Sequence, residues 1–175
     1  MNKKKLLVVV DMQNDFIDGS LGSEDAKAIV GNVCKKIDEW DGYVAFTFDT
    51  HYDEYLETVE GEHIPVEHCI NETHGWKLNE EVEKRRTSST FTIYKDTFGA
   101  VSMIELVRTL NISKIQLVGL CTDICVVSNA LLLRAAAPYA NVYVDASCCA
   151  GTTRDNHRAA LTVMKQCCVD VINDN

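Results

Sequence analysis

Positive charge is scarce in this sequence. Seventeen Lys and Arg stand against 26 Asp and Glu among 175 residues, a formal net charge of -9. Binding to a phosphate backbone is driven by Lys and Arg neutralising it. A general nucleic-acid binder is therefore excluded, and small molecules are the expected partners. The one basic cluster, Lys3 to Lys5, reads as a solvated chain end. Long apolar runs are missing too. Leu6 to Val10 is too short for a secretory h-region and meets Asp11 at once, and nothing approaches a membrane-spanning length. The expectation is a cytoplasmic protein whose eight cysteines stay reduced. The C-x-x-C spacing of a zinc knuckle is absent. Cys148-Cys149 and Cys167-Cys168 are adjacent pairs that read as small buried hydrophobes. No repeat, low-complexity tract or linker interrupts the chain, and its length suits one domain over 1–175.

What is present is alternation. "KLLVVV" (5–10), "YVAFTF" (43–48), "FTIY" (91–94), "KIQLVG" (114–119), "NVYVDA" (141–146) and "VDVI" (169–172) read as strands. Segments 24–40, 99–110, 123–136 and 152–166 carry helical spacing, as in Ile29, Val33 and Ile37. Strands that are nearly all apolar are buried on both faces, so the pattern predicts a parallel sheet between layers of helices. One stretch breaks the rhythm: 49–90 is polar, aromatic and rich in His, with no convincing strand. A long irregular insert in a compact domain is more often functional than idle.

In open α/β sheets, ligands bind outside the carboxyl ends of the strands, where strand order reverses. Strand one ends in Asp11, strand two in Asp49, strand three in Lys95, and strand four runs through Gly119 into Cys121 and Cys125. Any one of these could be a turn residue; four at one edge make a constellation. An acid, an ammonium and a thiol together can perform nucleophilic catalysis. Thr122 or Asp123 would cap a helix, which places Cys125 in its first turn, where free N–H groups favour a thiolate. Asp11 would take the thiol proton, and Lys95 would hold Asp11 ionised. Cys121 lacks the helix-terminal help, so Cys125 is the preferred nucleophile.

"VVDMQNDF" (9–16), "YKDTFGA" (94–100) and "GLCTDICV" (119–126) resemble the three catalytic blocks of the isochorismatase-like cysteine hydrolases, nicotinamidase and pyrazinamidase branch. The likeness runs over essentially the whole chain. It implies a three-layer α-β-α sandwich on a six-stranded parallel sheet, with Asp11 as general base, Lys95 as its partner and Cys125 as nucleophile. It also implies a non-proline cis peptide before Cys121, and an oxyanion hole from the backbone N–H groups of Cys121 and Cys125. Such donors would stabilise the oxyanion formed when Cys125 attacks a carbonyl.

The insert holds "FDTHYDEY" (48–55) and "PVEHCINETHGW" (65–76). Asp49, His51 and His68 suit a divalent ion such as Zn, Fe or Mn; read cold, the same residues could simply hydrogen-bond one another. In nicotinamidases the matching positions bind the metal that holds the substrate ring nitrogen, so the resemblance implies a divalent metal here, zinc in the first instance, that positions and polarises substrate. The sequence departs from that branch at "HIPVEH": Ile64-Pro65 stands where Trp-Pro is usual, with one extra residue before the His, and the nearest Trp is Trp76. Phe16 would supply an aromatic wall for substrate. His63 and His74 read as loop residues, His157 as packing on its own helix, Asp145 as a loop support ending strand five, and Gln13 and Asp15 as supports for the backbone around Asp11.

The leading expectation is a metal-assisted cysteine amidase acting on a small, nicotinamide-like carboxamide through a thioester on Cys125. The alternative within the family is hydrolysis of N-carbamoyl or ureido compounds. Isochorismate hydrolysis is disfavoured, because the isochorismatases of the superfamily lack the nucleophile. From a different class come a thiol redox or metal-responsive protein pairing Cys121 with Cys125, and a non-catalytic binding member of the fold. Homo-oligomers are common in the family, and the apolar "ALLLRAAAPYA" (130–140) is a candidate interface.

Overall fold

The computed structural model describes residues 4–174. Six strands form one all-parallel sheet: β1 (Lys5–Val10), β2 (Tyr43–Asp49), β3 (Phe91–Lys95), β4 (Lys114–Leu120), β5 (Asn141–Ala150) and β6 (Asp170–Ile172). Their spatial order is β3-β2-β1-β4-β5-β6. The order therefore reverses between β1 and β4, the place where α/β sheets open a crevice. Seven helices intervene: α1 (Asn14–Ile17), α2 (Glu24–Asp38), α3 (Val59–His63), α4 (Glu80–Glu83), α5 (Met103–Leu110), α6 (Val127–Ala136) and α7 (Arg154–Gln166).

The all-apolar strands are buried on both faces, as a central parallel sheet requires. From β1, Leu6, Val8 and Val10 join the core under α5, α6 and α7. Leu7 and Val9 join the core against α1, α2 and α4. The helices begin where the sequence supplies caps: the Ser23 hydroxyl accepts from the Ala26 N–H at the start of α2, and Thr153 does the same for Asn156 at α7. At the switch point Gly119 has a φ of 120°, and a Cβ there would run into the Val10 carbonyl. Only glycine lets β4 pass so close to the end of β1.

Several expectations shift in detail. β5 runs on to Ala150, so Asp145 lies within the strand. There it is fully buried and paired with Lys36 of α2 at 2.7 Å. Cys148 and Cys149 are buried, but Cys167 and Cys168 are exposed. They lie beyond the last turn of α7, and Cys168 has a φ of 62° as the chain reverses towards β6. All eight cysteines are free thiols. In the 130–140 segment, Ala130, Leu133 and Ala136 serve the chain's own core, while Tyr139 is exposed. Lys3 lies outside the described residues, and Lys5 opens β1 within 3.4 Å of Asp41. No helix among the described residues is long and apolar enough to cross a membrane.

The insert is irregular, built from a 3-10 turn (Tyr55–Glu57), α3 and α4. Two single bridges pin it to the sheet edge, Gln13 to Leu78 and His51 to Ile70. Side chains from the β1–α1 loop and from α1 do the rest. Gln13, fully buried, donates to the Asp49 and Trp76 carbonyls at 2.8 Å and accepts from the Asp49 N–H at 2.8 Å. The Asp15 carboxylate accepts from the Cys69 N–H at 2.8 Å. Both residues hold the insert in place, whereas the sequence pointed to the backbone around Asp11.

Candidate active site

At the switch point, β1, β2, β3 and the segment after β4 bring four of the expected groups together. Lys95 Nζ lies 2.8 Å from Asp11 Oδ2, 2.9 Å from Asp49 Oδ1 and 3.5 Å from Cys125 Sγ. Lys95 therefore links Cys125 to both carboxylates, its Nζ donating to Cys125 Sγ. Asp11 has a φ of 46°, in the left-handed region that Asp tolerates better than most residues. Thr47 holds it there: its hydroxyl donates to Asp11 Oδ1 at 2.6 Å and accepts from the Asp11 N–H at 3.1 Å.

Burial sets the electrostatics. It raises the Asp11 carboxyl above the ordinary carboxylate range, with the Asp49 charge adding to it and Lys95 opposing. Lys95 thus pulls in the expected direction, but desolvation outweighs it. Burial also pushes the Cys125 thiol well up, against the pull of Lys95. The Lys95 ammonium is disfavoured by burial, yet Asp11, Cys125 and Asp49 together hold it firmly protonated. Burial thus favours the neutral forms of the Cys125 thiol and the Asp11 carboxyl, and the Lys95 ammonium stands against both.

The segment carrying Cys125 departs from expectation. Residues Thr122–Val126 form a π turn that leads into α6, with Cys121 at its N-cap and no side-chain cap bond. Thr122 and Asp123 are engaged elsewhere. Thr122 Oγ1 lies 2.8 Å from His157 Nδ1, and the Asp123 carboxylate accepts from the N–H and hydroxyl of Thr152 at 2.8 and 2.5 Å. His157 thus reaches out of α7 to the turn that carries Cys125. Buried Asn129 ties that turn to the loop after β3: its amide donates to the Cys125 and Phe98 carbonyls at 2.8 and 3.0 Å and accepts from the Ala100 N–H at 2.9 Å. The Leu120–Cys121 peptide is cis. Burial, then the Asp123 charge, pushes the Cys121 thiol up to about 12.

Beside Lys95, the insert folds a second cluster around Asp49. Asp49, His51, Glu60 and His68 each offer a ligand atom, and the four atoms lie within 4.8 Å of one another. His51 Nε2 and His68 Nε2 stand 3.1 and 3.4 Å from Asp49 Oδ2, and 3.5 and 3.8 Å from Glu60 Oε1. His68 Nδ1 faces the Val66 carbonyl at 2.8 Å, which turns Nε2 towards Asp49 and Glu60. Tyr55 packs against both imidazoles, at 4.6 and 5.0 Å. Glu60 Oε1 is buried with no hydrogen-bond partner. An orphaned carboxylate oxygen aimed at two imidazoles and an aspartate fits a divalent cation, by donor set and by geometry. Glu60 is absent from the sequence reading, since nothing local separates it from Glu54, Glu57 or Glu62. Thr47 was within reach: it stands two residues before Asp49, on the same strand face. His63 and His74 are exposed and outside the cluster.

The cleft between the two clusters is lined by Phe16, Leu21, Ile64, Phe98, Cys121 and Ile124, together with Asp49, Glu60, His68 and Cys125. Phe16 lies in this wall, its ring 5.4 Å from that of His68. Trp76 does not reach the cleft; it stacks near Tyr94 on the far side of β3, rings 6.0 Å apart. Ile64 fills the wall instead.

The chain matches the isochorismatase domain family over residues 5–175. No curated protein matches it by sequence. Among solved structures it is similar to a nicotinamidase from Bacillus subtilis, 27% identical with a TM-score of 0.79 over 96% of this chain and 98% of that one. A pyrazinamidase of Pyrococcus horikoshii, in complex with zinc, is 21% identical with a TM-score of 0.82 over 97% and 98%. An N-carbamoylsarcosine amidase from Thermoplasma acidophilum is 23% identical with a TM-score of 0.79 over 96% and 95%. The last two likenesses are of fold.

Proposed function

Since the chain belongs to the isochorismatase domain family, whose members are hydrolases, we propose that it is a metal-assisted cysteine amidohydrolase converting a small carboxamide to the acid and ammonia. The observation that carries this reading is the single ammonium of Lys95 touching Asp11, Asp49 and Cys125 at once. Asp11 takes the thiol proton as Cys125 Sγ attacks the amide carbon. Lys95 compensates the negative charge shared between them, and the raised carboxyl of Asp11 suits it to hold that proton and pass it to the leaving nitrogen. The backbone N–H groups of Cys121 and Cys125 receive the oxyanion. Ammonia leaves a thioester on Cys125, which water cleaves with Asp11 again as base. Asp49, His51, Glu60 and His68 would hold the divalent ion, zinc in the first instance, which when bound polarises and orients the substrate.

The cleft also bears on substrate class. Lys95 is the one cationic side chain near it among the described residues, and two carboxylates engage it. Among the residues lining the cleft, a carbamoyl acid finds no free cationic side chain for its carboxylate. This favours a neutral amide, with Phe16 and Phe98 as walls for a flat ring. Ammonia release from nicotinamide and pyrazinamide, beside N-carbamoylsarcosine, tests both points. Turnover of a neutral amide that Cys125→Ala and a chelator both remove is the expected result. Preferential turnover of the carbamoyl acid would move the chain to the other reading, and amide turnover by Cys125→Ala would end the thioester mechanism.

A further inference from the structure

The catalytic cleft uses one face of the β2 and β3 ends, and strand alternation sends the neighbouring side chains to the opposite face. Phe48 and Tyr94 are register partners, one residue before the partners Asp49 and Lys95. Behind the active site Trp76 joins them to make an aromatic floor. Its ring lies 5.4 Å from that of Phe48 and 6.0 Å from that of Tyr94, only 15° from parallel with the latter. Trp76 is fixed in place: its indole N–H donates to Thr50 Oγ1 at 2.9 Å, and its carbonyl accepts from Gln13 at 2.8 Å. Tyr94 is nevertheless 57% exposed. The groove above this floor has a volume of about 770 Å³, within the range of small-molecule sites. None of the proposed chemistry uses it.

The rim indicates what kind of molecule fits. Glu83 holds Arg86 at 2.6 Å, and Glu80 holds Lys84 at 3.1 Å. The Arg86 guanidinium lies 5.7 Å over the Phe48 ring and covers it. That leaves the Trp76 and Tyr94 rings as the platform. Of the charged rim residues, Asp18 and Lys77 form no ion pair among the described residues, one acceptor and one donor of opposite sign. A rim without net charge around two near-parallel aromatic rings suits an uncharged ring with donors and acceptors on its edge. We infer that the groove behind β2 and β3 binds a planar heteroaromatic ligand of the nucleobase or nucleoside class, stacked on Trp76 and Tyr94.

The two tryptophans of the chain make this testable. Trp40 sits at the opposite end of β2, bonded to the Tyr43 carbonyl and near Lys114, so Trp40→Phe leaves Trp76 as the only indole reporter. Titration of that protein with adenosine should change Trp76 emission saturably, whereas ribose alone should not. Tyr94→Ala should weaken the response at least tenfold. Because Tyr94 lies on an edge strand, Tyr94→Thr is a companion that keeps strand propensity. The response should persist with Cys125→Ala, which separates this site from the catalytic cleft and makes the result independent of the amidase reading. No saturable change up to millimolar adenosine would overturn the inference. So would a response that both Tyr94 variants preserve, or a sedimentation profile showing that a second copy of the chain covers the groove.

Discussion

Asp11 and Asp49 close neighbouring strands, and both lie within 3 Å of the same Lys95 ammonium, yet their surroundings drive them apart. Around Asp11, burial wins and the carboxyl is raised. Asp49 is buried as well, but hydrogen bonds from His51 and His68, with the Lys95 charge, force it far below the ordinary carboxylate range. Two like residues at like positions thus acquire unlike chemistry. A carboxyl raised by its environment can exchange a proton, and one held permanently anionic can serve a cation. The strand ends supply the groups, and the irregular insert decides which is which, because both imidazoles belong to it.

The largest effect should come from substituting the two aspartates separately. Asp11→Asn should lower kcat by about two to four orders of magnitude while leaving bound zinc, measured by atomic absorption, near its original stoichiometry. Asp49→Asn should lose the metal, and with it activity. Equal loss of metal in both variants would erase the division between them.

The same comparison places Lys95 as the shared counter-charge. Lys95→Met would leave two buried carboxylates facing each other, and breaking a buried pair from one side costs about 3–5 kcal/mol. At about 2–4 °C per kcal/mol for a chain of this size, thermal unfolding should fall by roughly 6–20 °C. A melting point unchanged within error would mean that both carboxylates are balanced elsewhere.

How much of this was legible in the sequence differs between the two regions. The sheet was, because an apolar run closed by one polar residue marks both a buried strand and its functional end: Val10 to Asp11, Phe48 to Asp49, Tyr94 to Lys95. The insert was legible only through its His residues. Glu60 comes into the cluster by the fold of α3, and one glutamate among several in a polar stretch carries no local mark. The caps of the Thr122–Val126 turn misled for a related reason. Thr122 and Asp123 have the right types for an N-cap, but tertiary partners, His157 and Thr152, claim their side chains. Cys167 and Cys168 continue the apolar spacing of α7 past the point where the helix stops, so pattern alone could not show them exposed.

Glu60 therefore offers a sharper cut on the Asp49 side. Glu60→Gln removes a charge from the metal set while leaving its shape, and zinc affinity should fall at least about tenfold with Asp11 untouched. Competition with a chromophoric chelator measures this directly. An affinity equal to that of the parent would reduce the set to the three residues that the sequence had indicated.

The smallest effect addresses Asp11 alone. The Thr47 hydroxyl donates to Asp11 Oδ1 at 2.6 Å and so favours its charged form, one of the influences lowering the Asp11 pKa against burial. Thr47→Val removes that donor, so the carboxyl should rise further. As the proposed base Asp11 would act only when deprotonated, so the acid limb of kcat/KM should already lie above the ordinary value of about 3.9, and in Thr47→Val it should move to higher pH. Above that limb the variant should approach the parental rate, and zinc content should not change, because Asp49 does not depend on Thr47 for its charge. A uniform loss of rate at every pH, with the limb unmoved, would instead assign Thr47 to holding the left-handed backbone of Asp11 through its N–H. The difference between the two carboxyls would then rest on burial and the imidazoles alone.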